Sequence, residues 1–242
     1  MDPPGWTMIP KAFITGGATG IGYAIATAMV EAGYHVTVTG LTDEQVTAVL
    51  TGPHLAAAKL DVTSTASAAA VLDSFDRLDA LVNCAGMIVR NYGEYDIETF
   101  QKVIDVNLTG TMRMCVAARA KLAAARGAIV NTASMLSYFG GPAVPAYTAS
   151  KGGVAQLTKA LAGAWAAEGI RVNAIAPGWI ATELTRGLVE DDDRSAAILA
   201  RPPMQRWGDP ADVGGVAVFL CSEAARFITG VILPVDGGYA AV

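Results

Sequence analysis

Tyr147 and Lys151 are the pair of residues whose types and spacing most directly allow chemistry. They lie four residues apart in the stretch AYTASKGG at 146–153, which has the character of a helix start. Residues at this spacing share one face of a helix, so the phenol and the ammonium can meet. A nearby cation favours the phenolate, which would let Tyr147 exchange protons with a substrate as a general acid/base. Taken alone, such a pair is more often an ordinary helical contact.

Three glycines, Gly16, Gly20 and Gly22, follow the first apolar run in the stretch ITGGATGIG at 14–22. Their spacing differs from the G-x-G-x-x-G fingerprint, and no lysine follows the last glycine as it does in a P-loop. Positions without side chains still let the backbone approach a pyrophosphate, and a helix that begins here directs unpaired N–H groups at its charge. The turn therefore predicts a dinucleotide phosphate site. A tight strand-to-helix turn without a ligand is the alternative.

Apolar runs that suit buried strands alternate with helix-length segments along the chain. The runs are continuous, as expected for parallel strands covered on both faces, and they lie at 11–15, 35–39, 55–61, 78–83, 127–133, 170–176 and 231–236. This order predicts an α/β fold with one doubly wound, Rossmann-type sheet of about seven parallel strands and helices on both faces. Asp209 and Pro210 predict the capped start of a helix that runs to about Leu220. We expect a single domain over 1–242, with a substrate lid at about 179–208.

The composition excludes several classes of partner. Lys and Arg number 17 against 22 Asp and Glu, which gives a net charge of −5. No basic run occurs, so we expect neither nucleic acid nor an anionic membrane surface as a partner. The stretch MDPPGWTMIP at 1–10 lacks the charged-then-apolar order of a signal peptide, and no segment is long and apolar enough to span a bilayer.

Cysteine and histidine usage narrows the chemistry further. Cys84, Cys115 and Cys221 are odd in number and form no C-x-x-C, which indicates free thiols in a reducing cytoplasm. His35 and His54 are the only histidines, and both lie in apolar surroundings. We therefore predict no metal site and no Ser–His–Asp triad.

Several motifs fall in one register along the chain. They are Gly16-x3-Gly20-x-Gly22, NCAG at 83–86, Asn107, Ser134, Tyr147-x3-Lys151 and PGWIAT at 177–182. In this order and spacing the chain resembles the short-chain dehydrogenase/reductase family over essentially its whole length. Each motif is weak by itself, whereas their joint occurrence is specific. The resemblance turns the Tyr147–Lys151 pair from an ordinary contact into a candidate catalytic pair.

The resemblance implies roles for four residues in hydride transfer between a nicotinamide and a carbinol carbon. Tyr147 would be the general acid/base, and Lys151 would lower its pKa and hold the nicotinamide ribose hydroxyls. Ser134, at the end of the fifth strand, would donate to the substrate oxygen. Asn107 would hold a water that relays the proton through the lysine, with a locally bonded helix kink as its alternative.

The resemblance also implies a cofactor site. Asp61 would contact the adenine, with a helix N-cap as its alternative, while the NCAG turn would lie beneath the adenosine ribose and PGWIAT would grip the carboxamide. The implied residues are Gly16, Thr19, Gly20, Ile21, Gly22, Gly40, Leu41, Asp61, Val62, Asn83, Ala85, Gly86, Tyr147, Lys151, Pro177, Gly178, Ile180 and Thr182.

The choice between NAD and NADP is normally made at the end of the second strand, where an acid selects NAD and a base accepts the 2′-phosphate. Here Gly40 stands at the position of the acid, and Thr19 stands where NADP users often have a base. Neither marker is present. With no cation expected near a 2′-phosphate, the sequence favours NAD(H) slightly over NADP(H).

The substrate is expected to be a small molecule. The stretches around 131–154 and 190–213 resemble the members of the family that act on gluconate-type sugar acids, whose carboxylate calls for a fixed cation. Arg90 matches such a cation and would form the substrate site with Ser134 and Tyr147. A second expected basic position is Ala143 here, so a neutral sugar, a polyol or a small ketone fits almost as well.

Other functions stay open at this point. A 3-oxoacyl-carrier-protein reductase would need a basic rim for its acidic carrier, and the net charge opposes one. A non-catalytic dinucleotide-sensing protein would usually lack the tyrosine or the lysine, and both are present. Other ketone or steroid reductases complete the alternatives. The family commonly forms tetramers through its long helices, and the alanine-rich segment at 112–125 is compatible with a homotetramer.

Overall fold

Seven strands, all parallel, form one sheet in the computed structural model, which describes residues 9–242. The order across the sheet is β3-β2-β1-β4-β5-β6-β7. The strands are β1 Lys11–Thr15, β2 His35–Gly40, β3 Leu55–Lys59, β4 Ala80–Asn83, β5 Ala128–Thr132, β6 Arg171–Pro177 and β7 Ile232–Val235. The predicted doubly wound parallel sheet is confirmed. The stretch on which we expect no signal peptide lies largely outside the described residues.

Nine α-helices connect or flank the strands within residues 9–242. They are α1 Gly20–Glu31, α2 Asp43–Thr47, α3 Thr65–Leu72, α4 Ile97–Ile104, α5 Gly110–Ala125, α6 Pro145–Trp165, α7 Arg186–Val189, α8 Asp192–Leu199 and α9 Pro210–Cys221. A π-helical turn, Asp105–Thr109, joins α4 to α5. Asp209 caps α9 through the N–H of Ala211, with Pro210 in its first turn, as predicted.

Each face of the sheet is buried under its own helices. Phe13 of β1 lies in the core that α3, α5 and α6 cover, and the next residue, Ile14, lies in the core that α1 and α9 cover. Successive strand residues point to opposite faces, so a strand covered on both sides must be apolar at every position. The continuous apolar runs in the sequence have this cause.

The strand order reverses at β1, which lies between β2 and β4. In doubly wound sheets the loops on the two sides of such a switch point diverge and leave a crevice at the carboxyl ends of the strands. The glycine turn after β1 and the NCAG segment after β4 both lie at this edge. The fold therefore brings together motifs that are nearly seventy residues apart in the sequence.

The stretch at 179–208 is more regular than the sequence indicates, because it contains α7 and α8. The acidic run in it supplies the N-cap of α8: the carboxylate of Asp191 accepts from the N–H of Arg194 at 3.1 Å. A parallel bridge between Ile180 and Gly208 ties the two ends of the stretch together. The stretch is thus a helical flap with a fixed base.

The sequence predicts no membrane span, no metal site and only free thiols, and residues 9–242 bear on each of these. No helix in that part of the chain combines the length and the apolar character needed to cross a membrane. Within the same residues, no group of His, Cys, Asp and Glu side chains is arranged to hold a metal ion. Cys84, Cys115 and Cys221 are free thiols, and the last two are buried.

Candidate active site

A cleft of about 520 Å³ follows the carboxyl edge of the sheet from β2 to α6. All but four of the residues expected to bind a cofactor line it, namely Gly16, Thr19, Gly20, Ile21, Gly22, Gly40, Leu41, Asp61, Val62, Ala85, Gly86, Tyr147, Lys151 and Thr182. Residues outside the sequence motifs also line it, among them Gln45, Met87, Lys102 and Leu184. The cleft joins the glycine turn at one end to the Tyr147–Lys151 pair near the other.

The glycine turn fits a pyrophosphate. A Cβ on Gly16, whose φ is +62°, would lie 2.8 Å from the Cα of Ala85, so the turn and the NCAG segment touch only because this residue has no side chain. The first intrahelical bond of α1 runs from the N–H of Tyr23 to the carbonyl of Thr19. The N–H groups of the residues before Tyr23 have no intrahelical partner, and these residues line the cleft. Such a helix start binds phosphate groups.

Gln45 of α2 lines the end of the cleft beside Gly40 and Leu41, and sequence analysis missed it. The Oε1 of Gln45 accepts from the N–H of Leu41 at 2.7 Å, and the backbone N–H of Gln45 donates to the hydroxyl of Thr42. A Cβ on Gly40 would lie 2.8 Å from the Cβ of Gln45. The acid that the family often carries at position 40 is therefore excluded by Gln45. The capping-box spacing Thr42-x-x-Gln45 was the available signal.

Asp61 lines the cleft after β3, beside Val62. Its Oδ1 accepts from both the N–H and the hydroxyl of Thr63, at 2.9 and 2.7 Å. These bonds, the hydroxyl bond first, lower the pKa of the Asp61 carboxyl. The alternative role of Asp61 as a helix N-cap is wrong, because Ser64 caps α3 through the N–H of Ser67.

Four of the expected cofactor residues lie away from this cleft. The side chain of Asn83 is buried in the sheet, where its amide donates to the Oδ1 of Asn131 at 2.9 Å. Pro177 ends β6, and a Cβ on Gly178 would lie 2.7 Å from the Cα of Asp236. Ile180 lines a second cavity of about 360 Å³ instead. The structure thus brings the side chain of only Thr182 from the PGWIAT segment to the cleft.

Tyr147 and Lys151 meet on one face of α6, as their spacing predicts. The Nζ of Lys151 lies 5.5 Å from the centre of the Tyr147 ring and donates to the carbonyl of Thr132 at 2.6 Å. Burial lowers the pKa of Lys151 to about 8. Lys151 is therefore mostly charged at neutral pH and loses its charge from about pH 8 upwards, well before an ordinary lysine does.

The pKa of Tyr147 is raised rather than lowered in the chain alone. Burial is the largest cause, and the carboxylate of Glu94 adds to it, while hydrogen bonding by Ser134 and the charge of Arg90 act in the opposite direction. The family resemblance implies that Lys151 lowers this pKa. The structure differs because desolvation of the phenolate outweighs the hydrogen bond of Ser134 and the charge of Arg90, and Lys151 is not among the groups that lower this pKa.

Ser134 reaches Tyr147 from the end of β5. Its hydroxyl accepts from the N–H of Leu136, which makes it the N-cap of a short 3-10 turn, Met135–Ser137. Ser137 in turn donates to the carbonyl of Lys151 at 2.7 Å. This turn therefore holds Ser134 against α6, where its hydroxyl can serve the same substrate oxygen as the phenol.

Asn107 lies in the π-helical turn and is buried. Its Oδ1 accepts from the N–H of Met87 at 2.8 Å, and its amide donates to the carbonyl of Met87 and to the hydroxyl of Ser150. The helix kink that is the alternative role of Asn107 is present as the π turn. The side-chain bonds, however, reach across to the NCAG loop and to α6, so Asn107 fixes these two elements to one another.

Arg90 lies on the substrate side, in the loop after β4. Its guanidinium donates to the carbonyl of Leu184 in the flap at 3.5 Å, and its charge is close enough to lower the pKa of Tyr147. The three residues expected to hold the substrate, Arg90, Ser134 and Tyr147, are thus brought together.

Glu94 is a further member of this group that sequence analysis missed. It is fully buried, and its two carboxylate oxygens accept from the N–H groups of Val89 and Tyr147. An acid in the stretch GEYDIE carries no local pattern that separates a buried carboxylate from an exposed capping residue.

Known proteins share this arrangement over almost the whole chain. A family model described as Enoyl-(Acyl carrier protein) reductase matches residues 16–240. The 2-dehydro-3-deoxy-D-gluconate 5-dehydrogenase of Bacillus subtilis (strain 168) is 43% identical over 237 residues, which covers 94% of this chain and 93% of the relative.

Two solved structures extend the likeness to three dimensions. A protein of Agrobacterium tumefaciens with bound NADP, provisionally named 2-deoxy-D-gluconate 3-dehydrogenase, is 44% identical with a TM-score of 0.88, covering 96% of this chain and 97% of that chain. A gluconate 5-dehydrogenase from Burkholderia cenocepacia J2315, in complex with NADP and tartrate, is 34% identical with a TM-score of 0.90, covering 96% of each chain. The family model and these identities agree with the register of the motifs, and the chain therefore belongs to the short-chain dehydrogenase/reductase family.

Proposed function

We propose that the protein is an NAD(P)-dependent oxidoreductase that interconverts a secondary alcohol and a ketone on a sugar acid or a related polyol. The observation that carries the proposal is the grouping of Ser134 and Arg90 around Tyr147, which itself lines the cleft of about 520 Å³ together with the glycine turn. A phenol, a hydroxyl and a guanidinium are the groups needed to move a proton, to stabilise an oxygen and to hold a carboxylate.

The chain's own residues would supply everything except the hydride. A nicotinamide cofactor bound in the cleft would carry the hydride to or from the carbinol carbon. Tyr147 would remove or donate the proton at the hydroxyl oxygen, and Ser134 would donate to the same oxygen as charge develops on it. Lys151, fixed by Thr132, would share its proton with groups near the phenol. Asn107, through Met87 and Ser150, would hold the surrounding backbone in place.

The sugar-acid assignment rests on Arg90 and on the relatives. Arg90 is held by the flap near Tyr147, where it would bind a substrate carboxylate in a charge-assisted pair. Relatives that act on gluconate derivatives and one solved relative in complex with tartrate support an acidic substrate. The galactitol 2-dehydrogenase of Cereibacter sphaeroides, 37% identical over 241 residues, supports a polyol as the neutral alternative.

For the cofactor we propose a small preference for NAD(H). Lys59, the last residue of β3, is bound to Asp43 at 2.9 Å, so its charge is already compensated. Gln45 presents a neutral amide where a 2′-phosphate would lie. Both solved relatives described above hold NADP, and we therefore expect the preference to be modest rather than absolute.

We propose that residues 1–242 work as one unit in which the stretch at 179–208 is the lid. Two features support this role: Thr182 lines the same cleft as the glycine turn, and the carbonyl of Leu184 accepts from Arg90. A homotetramer in the cytoplasm is the proposed working state. The exposed apolar side chains of Met112 and Val116 on α5 support a helix-mediated interface, and the free thiols support a reducing setting.

A substrate panel tests the proposal. NAD⁺- and NADP⁺-dependent oxidation of gluconate and galactitol would be measured beside NADH- and NADPH-dependent reduction of 5-keto-gluconate and of a 3-oxoacyl carrier protein. We expect turnover with the sugar substrates. Turnover of the acyl carrier substrate alone would replace the proposal by the carrier-protein alternative, and cofactor binding without any turnover would favour a sensing protein.

A further inference from the structure

Glu94 is a buried carboxylate that joins the substrate loop to the catalytic helix. It is 0% exposed, it lies in the 3-10 turn Gly93–Tyr95, and it forms no salt bridge within residues 9–242. Its Oε1 accepts from the N–H of Val89 at 2.9 Å, and its Oε2 accepts from the N–H of Tyr147 at 2.8 Å. Buried charges are rare without compensation, so these two bonds call for an explanation.

One oxygen of Glu94 supplies the cap that α6 lacks. The residue before the helix, Val144, makes no side-chain bond to it, and Pro145 occupies its first turn. Tyr147 is the third residue of the helix, and its N–H has no intrahelical acceptor. A carboxylate at the start of a 21-residue helix is stabilised by the helix dipole as well as by the hydrogen bond. The position of the Tyr147 backbone therefore depends on Glu94.

The other oxygen of Glu94 closes the loop that carries Arg90. Val89 precedes Arg90 directly, and the chain reverses tightly there: a Cβ on Gly93 would lie 2.8 Å from a methyl carbon of Val89. Asn91 and Tyr92 both have positive φ values, 56° and 61°, which non-glycine residues seldom adopt. A loop in this conformation needs a fixed contact to persist. A backbone bond from Gly93 to Arg90 closes the turn itself, and Glu94 supplies the buried side-chain contact.

The polar and titratable groups around Tyr147 and Lys151 come from four elements. Arg90 and Glu94 belong to the loop after β4, Ser134 to the end of β5, Lys151 to α6, and Cys84, next to Lys151, to the NCAG segment. Arg90 and Glu94 act on the phenol with opposite signs. The Cys84 thiol stays neutral, because burial raises its pKa to about 11.

We propose that Glu94 is a positioning residue that sets the distance between Arg90 and the Tyr147 phenol and balances the charge of Arg90 at that phenol. The inference rests on the proposed function. A substrate held by its carboxylate at Arg90 must present its hydroxyl to Tyr147, and one rigid side chain fixes both ends of that span. Glu94 touches neither substrate nor cofactor and acts only through these two neighbours.

The variant Glu94→Gln tests the proposal. A glutamine has one acceptor oxygen, so one of the two backbone N–H groups would face an NH₂ group. We expect kcat/KM for a sugar acid to fall by about tenfold or more, while NADH binding, followed by its fluorescence, stays within about twofold. Removal of the anion favours the phenolate, so the pH limb assigned to Tyr147 should move to lower pH.

Glu98→Gln is the matched control, because Glu98 is an exposed acid in the first turn of α4 and undergoes the same chemical change. It should leave both the rate and the pH limb unchanged. Glu94→Asp keeps the charge but shortens the link, so it should lower kcat/KM without the shift to lower pH. This variant tests the proposal even where the glutamine variant fails to fold.

The phenol can also be titrated without turnover. The ultraviolet absorbance of phenolate is followed against pH for each protein with and without the additional change Tyr147→Phe, and the difference between the two curves is the titration of Tyr147. If Glu94→Gln lowers the rate but leaves this titration and the pH limb in place, Glu94 is only structural and the proposal fails. Absence of turnover in the unmodified protein would overturn the proposed function, whereas the titration would still decide the role of Glu94.

Discussion

Gln45 fills the space that a side chain on Gly40 would need, since a Cβ on Gly40 would lie 2.8 Å from the Cβ of Gln45 and 3.2 Å from its Oε1. In the family, the side chain at the end of β2 usually decides between the two nicotinamide cofactors. Here that position is Gly40, and the side chain of Gln45 from the following helix occupies the space instead. In the proposed cofactor site a neutral amide would face the adenosine ribose, and its oxygen already accepts from the N–H of Leu41.

Gln45→Glu should convert a weak cofactor preference into a strong one. A carboxylate can keep the bond from Leu41 but adds a negative charge beside the 2′ position, so we expect the Kd of NADPH to rise by about tenfold or more. The Kd of NADH should change little. Ala48→Glu, which adds the same charge at an exposed position outside the cleft, is the control. Fluorescence titration measures the Kd of NADPH and of NADH for each variant. An unchanged ratio of these two Kd values in Gln45→Glu would contradict the role of Gln45.

Tyr147→Phe should abolish turnover while the fold and cofactor binding persist. The change removes the proton-transfer group but keeps the ring and its packing, so kcat should fall by at least about a hundredfold. Steady-state rates and NADH fluorescence distinguish the two effects. Tyr95→Phe, at an exposed tyrosine that donates to the carbonyl of Pro142, is the control. Normal turnover in Tyr147→Phe would remove Tyr147 from its proposed role.

Arg90→Ala should separate acidic from neutral substrates. Loss of a charge-assisted pair should raise KM for a sugar acid by about ten- to a hundredfold, and the KM for a neutral polyol should rise much less. Arg194→Ala is the matched control, because Arg194 lies in the same flap and is paired with Asp191 on the surface. Equal effects of Arg90→Ala on both substrates would argue against a carboxylate at this position.

The buried Lys151 should make stability depend on pH. Its pKa is about 8 in the folded chain against an ordinary value of 10.5, so the unfolded chain binds more protons between these pH values. The free energy of unfolding contributed by Lys151 therefore rises with pH above about 8. Relative to Lys151→Met, the protein should gain about 1 kcal/mol between pH 7 and pH 9.

Urea unfolding of both proteins at the two pH values measures this gain. The thiols ionise over the same pH range in the unfolded chain, and their contribution to the free energy of unfolding is removed when the values of the two proteins are subtracted. A difference that stays constant would mean that Lys151 keeps its ordinary pKa in the folded chain.

Repeating patterns predicted the fold well. Continuous apolar runs arise because every residue of a doubly covered parallel strand is buried, and Phe13 and Ile14 illustrate the two faces. The glycine turn and the Tyr147–Lys151 pair were equally accessible, since their chemistry depends on residues that are close in sequence.

The parts that sequence analysis missed depend on long-range contacts. Glu94 acts on a residue 53 positions away, and nothing in its own stretch indicates burial. The side chain of Asn83 is bonded to that of Asn131, its partner in the neighbouring strand, and this long-range pairing leaves no local signal in the sequence. The raised pKa of Tyr147 reflects desolvation of a half-buried phenol, which the spacing of residues alone does not predict.

The candidate active site depends on the number of residues in the π-helical turn at Asp105–Thr109. A π turn holds one residue more than an α-helical turn, and removing that residue would rotate α4 by about 100° relative to α5. The amide of Asn107 would then no longer reach both Met87 and Ser150. Substitutions elsewhere in the turn keep the number of residues between α4 and α5 and leave Asn107 in place, whereas a single-residue deletion would displace Asn107 without altering any side chain of the site.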